Sequence, residues 1–221
     1  MRPDVKLSLS TLLVSMFAFG ADEKSELGVS GSLLVANNCI WRGMTQTSNT
    51  PNAQAGVNLN YNGFYAGVAG SNVKTEGLNA TSEVDLLGGY IGNIYGIDYD
   101  AGAIYYTYPR SAKEANFADI YLALSKDFER AKLGGKFYRD IKTNDLIVSN
   151  AWETTLSIPA PMSISLELLY GDYAHIGNYY SVGLAKPIND TLKTSISYTG
   201  IDSDTDGSDE GNIVVMITAS F

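Results

Sequence analysis

At 221 residues, with 45% apolar and 18% charged side chains, the chain has room for a single barrel or for one or two soluble domains. Its formal net charge of −9 argues against nucleic-acid binding, which needs a basic footprint. After residue 20 no stretch approaches the roughly 18 apolar residues that a membrane helix requires, and the one cysteine, Cys39, excludes an intramolecular disulfide.

The amino terminus has the pattern of an export signal. Arg2 and Lys6 give a weakly basic start, interrupted by Asp4, and Leu7 to Phe19 form an apolar core too short to span. Ala18-Phe19-Gly20 supplies a small-x-small cleavage pattern. We expect residues 1–21 to be a signal peptide and 22–221 to be one outer-membrane barrel domain. Without residues 1–21 the chain carries 13 basic and 23 acidic residues, a net charge of −10.

From there, segments of about ten residues recur near 27–37, 52–61, 64–73, 83–92, 97–108, 116–126, 131–139, 150–158, 162–171, 178–186, 191–201 and 212–221. Short turn signals separate alternate pairs, at Asn62-Gly63, Asn93 to Gly96, Asp127 to Arg130, Pro159-Ala160-Pro161 and Pro187 to Asp190. Longer polar connections lie at 38–51, 74–82, 109–115, 140–149, 172–177 and 202–210. Bacterial barrels alternate tight periplasmic turns with longer outer loops in this way. The pattern predicts an all-β, transmembrane, antiparallel up-and-down barrel of about twelve strands, with both termini periplasmic.

Face parity supports that prediction. Across Asn62-Gly63, a sequence that favours a type I′ turn, Tyr61 meets Phe64, Leu59 meets Ala66 and Val57 meets Val68. Across Pro159 to Pro161, Ile158 should meet Met162, Leu156 should meet Ile164 and Trp152 should meet Leu168. Aromatic residues fall near both proposed rims: Tyr61, Phe64, Tyr95, Tyr99 and Phe128 at the short turns, and Trp41, Tyr105, Phe137, Trp152, Tyr170 and Tyr198 toward the long loops. Membrane interfaces select two such belts. In the last segment Ile213, Val215, Ile217, Ala219 and Phe221 share one face, while Asn212, Thr218 and Ser220 share the other. This segment resembles the C-terminal strand by which the barrel-assembly machinery recognises outer-membrane proteins, which commonly ends in Phe.

Asn38-Cys39-Ile40-Trp41-Arg42-Gly43-Met44-Thr45-Gln46-Thr47 resembles the N-Y-I-W-R-G-x-x-Q-T stretch of the TorF-type porins, the Gcw_chp family. Further matches are Pro51-Asn52-Ala53-Gln54, Gly63-Phe64-Tyr65-Ala66-Gly67, Ser71-Asn72-Val73 and Gly89-Tyr90. Cys39 departs from the pattern, where an aromatic residue is usual; its small apolar side chain is expected to be buried. The resemblance implies an outer-membrane barrel and leaves the substrate undefined.

By parity the inward, pore-lining charges are Asp85, Asp98, Asp119, Lys132, Lys136, Glu153, Glu167 and Lys193. The hairpin register at Pro159 to Pro161 sets Glu153 opposite Glu167, with Lys136 one strand away at the same height. The expectation is a lumenal row of Lys136, Glu153 and Glu167, with the two carboxyls raising one another's pKa. Such charges tune which ions pass, or brace the wall. Arg42 is expected to turn inward toward a carboxylate such as Asp85, with Trp41 anchoring at the outer interface.

Asp202, Asp204 and Asp206, followed by Gly207, resemble the start of a calcium loop. The twelfth position is Ile213, however, so the bidentate Glu is missing and a solvated acidic loop is the better reading. His175, the only histidine, is followed by Ile176 and Gly177 and has no oriented nucleophile. The expectation is therefore a passive pore for ions or small hydrophilic solutes, with no catalysis, cofactor, metal or nucleic acid. The alternative is a non-conducting structural or receptor barrel, its lumen plugged by the 38–51 loop.

Overall fold

A computed structural model describes residues 27–74, 79–111, 115–141, 150–204 and 207–221. The signal-peptide expectation for residues 1–21 lies outside these. Twelve strands close into one antiparallel barrel: β1 (Gly28–Ala36), β4 (Asn52–Tyr61), β5 (Phe64–Asn72), β6 (Ser82–Ile94), β7 (Ile97–Thr107), β8 (Phe117–Asp127), β9 (Lys132–Ile141), β10 (Asn150–Ala160), β11 (Ile164–Tyr173), β12 (Gly177–Pro187), β13 (Leu192–Ser203) and β14 (Glu210–Ser220). The remaining pair, β2 (Ile40–Trp41) and β3 (Met44–Thr45), forms a small hairpin inside the connection from β1 to β4.

Neighbours in sequence are neighbours in the wall, and β14 closes on β1. The hairpin at Asn62-Gly63 has the expected register, with Tyr61 opposite Phe64, Leu59 opposite Ala66 and Val57 opposite Val68. Asn62 (φ 52°) and Gly63 (φ 82°) both take the left-handed conformation that a type I′ turn demands.

The hairpin near Pro159 corrects the expected register. The strand continues through Pro159 and Ala160, and the turn is a 3-10 segment, Pro161–Ser163, with Met162 and Ser163 at positive φ. Leu156 therefore faces Leu168, Ile158 faces Leu166 and Trp152 faces Asp172. The displacement is an even number of residues, so every side chain keeps its face while its partner changes. A second correction concerns 172–177: only Ala174 to Ile176 connect β11 to β12, a turn as short as those at the opposite end.

The outer surface is apolar. Leu59, Leu122, Leu184, Ile196, Val215 and Ile217 are all exposed around the wall, each more exposed than the residues that flank it in its strand. A continuous band of this kind is stable against acyl chains rather than water. Tyr61, Phe64, Tyr95 and Phe128 are exposed at the short-turn end, and Tyr105, Phe137, Trp152, Tyr170 and Tyr198 near the long-connection end. Both aromatic girdles thus form, except for Trp41.

The seam between β1 and β14 is short. Only Ser32 to Ala36 pair with Met216 to Ser220, whereas all of β1 pairs with β4. Below this, Gly31 and Phe221 exchange backbone hydrogen bonds of 2.8 and 3.0 Å. Above it, the backbone and side chain of Asn37 take over from the strand. Its N–H donates to the Val215 carbonyl (3.3 Å), its Nδ2 donates to the Ile213 carbonyl (2.9 Å), and its Oδ1 accepts from the Val215 N–H (2.7 Å). The connection that leaves β1 is thereby tied to the upper half of β14.

Candidate functional site: the lumen and its inserted hairpin

The connection from β1 to β4 folds into the barrel rather than away from it. Asn38, Cys39, Ile40, Arg42 and Thr47 are all buried. The β2–β3 hairpin turns at Arg42 (φ 48°) and Gly43 (φ 82°). A Cβ at Gly43 would lie 2.5 Å from the Gly200 carbonyl oxygen, so only glycine allows the tip to press on β13. At its base, Thr47 Oγ1 donates to Asn38 Oδ1 (2.9 Å) and accepts from the Cys39 N–H (3.1 Å). Thr45 N–H reaches Glu210 on β14 (2.8 Å). The loop is held by specific polar contacts, not by apolar collapse alone.

Arg42 crosses the lumen. Around the ring, β8 and β9 stand five and six places from β1, the opposite side of a twelve-stranded wall. Arg42 Nη2 lies 2.8 Å from Asp119 Oδ2 on β8, and Nη1 lies 3.5 Å from Asp140 Oδ1 on β9. Its guanidinium carbon sits 4.4, 4.5 and 4.7 Å from the ring centres of Trp41, Tyr173 and Tyr138. Asp85, the expected partner, makes no ion pair with it; β6 lies on a different arc of the wall. Trp41 also departs from expectation, packing inside against Tyr106, Phe117 and Tyr173 at 5.6 to 6.4 Å.

Below Arg42 a polar belt follows the wall from β5 to β12. Asp100 accepts from Tyr65 (2.8 Å) and Tyr121 (3.3 Å), whose hydroxyls also bond to each other. Lys136 Nζ lies over the Tyr121 ring at 3.8 Å and near Tyr138 at 4.8 Å. Glu153 accepts from Tyr138 and Tyr179, both at 3.1 Å. Inward glycines make room for these rings. A Cβ at Gly102 would lie 2.7 Å from the Tyr65 hydroxyl, and one at Gly171 would lie 2.4 Å from Tyr179 Cζ. Tyr179 packs over its direct cross-strand partner Gly171, and Tyr65 reaches Gly102 two strands away, so each of these rings is seated on a glycine of another strand.

Of the expected lumenal row, Lys136 and Glu153 are direct cross-strand partners. Glu167 is not level with them. It pairs with Ser157, while Glu153 pairs with Gly171, because the β10–β11 turn is displaced. The mutual effect expected of facing Glu153 and Glu167 carboxyls therefore loses its geometric basis. Ser157 Oγ (3.0 Å) and Ser165 Oγ (2.5 Å) hold Glu167 instead.

Asp85 and Asp119 are buried on the inner face, and Lys132, Lys136 and Lys193 are partly buried. Asp98 lies at the short-turn rim, where it is exposed and accepts from Asn93 Nδ2 (2.7 Å). Parity reading missed Glu83, Asp100 and Asp140. Each has the correct alternation, and Glu83 and Asp140 are buried. Asp202 and Asp204 are exposed, Asp206 lies outside the described residues, and no cluster suited to a metal exists among the described residues. His175 is exposed at φ 66° on the three-residue turn after β11.

On the short-turn side of Arg42 the lumen holds a cavity of about 110 Å³ that opens to solvent. Its wall combines Glu153, Glu167 and Lys193 with serine and threonine side chains of β10, β12 and β13. Cys39, outside the strands, sits behind the hairpin and accepts from Gln54 Nε2 at 3.4 Å. Burial, then the nearby Glu83 carboxylate, push its thiol up to about 12.

A closed, twelve-stranded, apolar-coated barrel with a charged interior is the architecture of outer-membrane channels. Among solved structures, the NanC porin matches with a TM-score of 0.60 at 12% identity, covering 86% of this chain and 98% of that one. A KdgM porin in complex with disordered oligogalacturonate gives 0.59 at 10% identity, over 87% and 98%. An outer membrane channel from Pseudomonas putida F1 gives 0.58 at 10% identity, over 91% and 97%. At these identities the likeness defines the fold. No curated protein matches the chain. Residues 20–221 match the family described as bacterial protein of unknown function (Gcw_chp), and the chain belongs to that family.

Proposed function

We propose that this protein is a porin-like channel of the TorF type in the bacterial outer membrane, passing ions or small hydrophilic solutes down their gradients. The single observation that carries the reading is the closed wall, apolar outside and lined inside by charged and hydroxyl side chains around an open space. Residues 1–21 would direct export, both termini would face the periplasm, and the strand ending at Phe221 would engage the barrel-assembly machinery. Outer-membrane lipid would contact the apolar belt.

Twelve strands give a backbone radius of roughly 12 Å, which the β2–β3 hairpin and the tyrosine belt narrow substantially. The pore-lining set is Arg42, Asp85, Asp98, Asp119, Lys132, Lys136, Glu153, Glu167 and Lys193, joined by Glu83, Asp100 and Asp140. Carboxylates outnumber cations in it, which favours cation passage.

The inserted hairpin supports a second reading, a non-conducting barrel held shut by Arg42. Planar-bilayer recording of refolded protein separates them. Reproducible unitary steps carrying more cation than anion establish the channel, whereas silence from verified insertions establishes the plugged barrel.

A further inference from the structure

We propose that the lumenal cavity beside Arg42 is a binding station for a small zwitterion of the amino-acid type, held between Glu167 and Lys193. The inference rests on the channel reading and specifies its substrate class. Both side chains line the same cavity. Glu167 is oriented in advance: Ser157 and Ser165 both donate to Oε1, and among the described residues Oε2 accepts no hydrogen bond. Lys193 attracts Glu167 electrostatically, yet forms no ion pair with it or with any other described residue.

The strand register explains the gap. Glu167 faces Gly183, which faces Ser197, so Lys193 lies four residues further along β13. That is roughly 13 Å of strand, which the lysine stem shortens without closing to contact. An anchored carboxylate and a separated ammonium across open space complement a solute bearing an ammonium and a carboxylate of its own. A pure anion would meet Glu153 and Glu167; a pure cation would meet Lys193 and the Arg42 bar. Ser181, Ser195 and Ser197 line the same wall, and among the described residues their hydroxyls make no hydrogen bond. They remain available to the solute's polar atoms.

The test is calorimetric titration of the detergent-solubilised mature barrel with L-serine, D-glucose and sodium gluconate, paired with bilayer recording in the same solutes. Serine should bind, and block current transiently, at concentrations about tenfold below those at which glucose or gluconate acts. Glu167→Gln and Lys193→Gln should each weaken serine about tenfold. If Glu167→Gln loses the folded, heat-modifiable form, Ser197→Ala should still weaken serine while leaving the barrel intact. Gluconate binding as tightly as serine, or serine binding unchanged in the folded variants, overturns the proposal. Serine binding without conductance would overturn the channel reading and retain the site. Steady conductance with neither binding nor block would do the reverse.

Discussion

Arg42, carried by the connection that leaves β1, places its Nη2 2.8 Å from Asp119 Oδ2 on β8, across the full width of the barrel. Side-chain exposure is 4% for the arginine and 0% for the aspartate, so the pair is shielded from bulk water. Removing the arginine leaves Asp119 and Asp140 without their cation. Breaking one side of a buried pair costs about 3–5 kcal/mol. Arg42→Ala should lower stability to urea unfolding by about that much and enlarge the unitary conductance. Arg42→Lys should recover only part of both, because a point ammonium cannot reach two carboxylates and stack on three rings at once. An alanine variant as stable and as narrow as the parent would show that the bar closes nothing.

Gly171 and Gly96 provide a paired test of the tyrosine belt. A methyl group at Gly171 would lie 2.4 Å from Tyr179 Cζ and 2.6 Å from the Trp152 carbonyl, forcing the ring off Glu153. Gly171→Ala should cost about 1–3 kcal/mol in unfolding free energy. Gly96 meets nothing within 4 Å and has a φ of +75°. Gly96→Ala should therefore cost only the left-handed backbone penalty, about 1 kcal/mol. Equal losses at the two sites would contradict the close approach of Tyr179 to the wall.

Cys39 reports whether the hairpin stays in place. Its thiol, fully buried and pushed up to about 12 by burial first and then by Glu83, stays protonated at pH 8. A charged maleimide should label the unfolded chain within minutes and the folded barrel far more slowly. Labelling of the folded form should rise with pH toward 12, since the thiolate is the reactive species. Arg42→Ala should accelerate it at constant pH. Rapid labelling of the folded parent at pH 8 would place the hairpin outside the lumen.

Lys136, beside Asp100 and Glu153 in the belt, is the cation best placed to hold back other cations. Lys136→Gln should move the reversal potential in a salt gradient further toward that of the cation. An unchanged potential would remove Lys136 from the conducting path.

Much of the barrel was readable from alternation alone, because a two-residue period fixes which side chains face lipid wherever the turns fall. The Asn62-Gly63 hairpin was readable to the residue, since that dipeptide specifies both turn length and handedness. The turn after β10 was not. Two prolines flanking Ala160 suggested a turn centred there, but Pro159 and Ala160 extend the strand and Met162 and Ser163 make the reversal. Counting strand positions up from the short turns sets Lys136 beside Glu153, as the structure has it, whereas Glu167 departs from that level with the displaced turn. The Tyr65–Gly102 contact and the path of Arg42 depend on strands that are not neighbours in sequence. Alternation within one strand cannot encode them.

Asn37 joins two roles that would otherwise be separate. By standing in for the missing upper part of β1 along β14, it makes the stopper part of the weld that closes the cylinder. Withdrawing the whole connection would strip that edge of the last strand, opposite its β13 edge, of the cover it has among the described residues, baring unsatisfied amides to hydrocarbon. Any widening of the passage must therefore bend the segment beyond residue 37 while its root stays stitched. That root sets how far the stopper can travel.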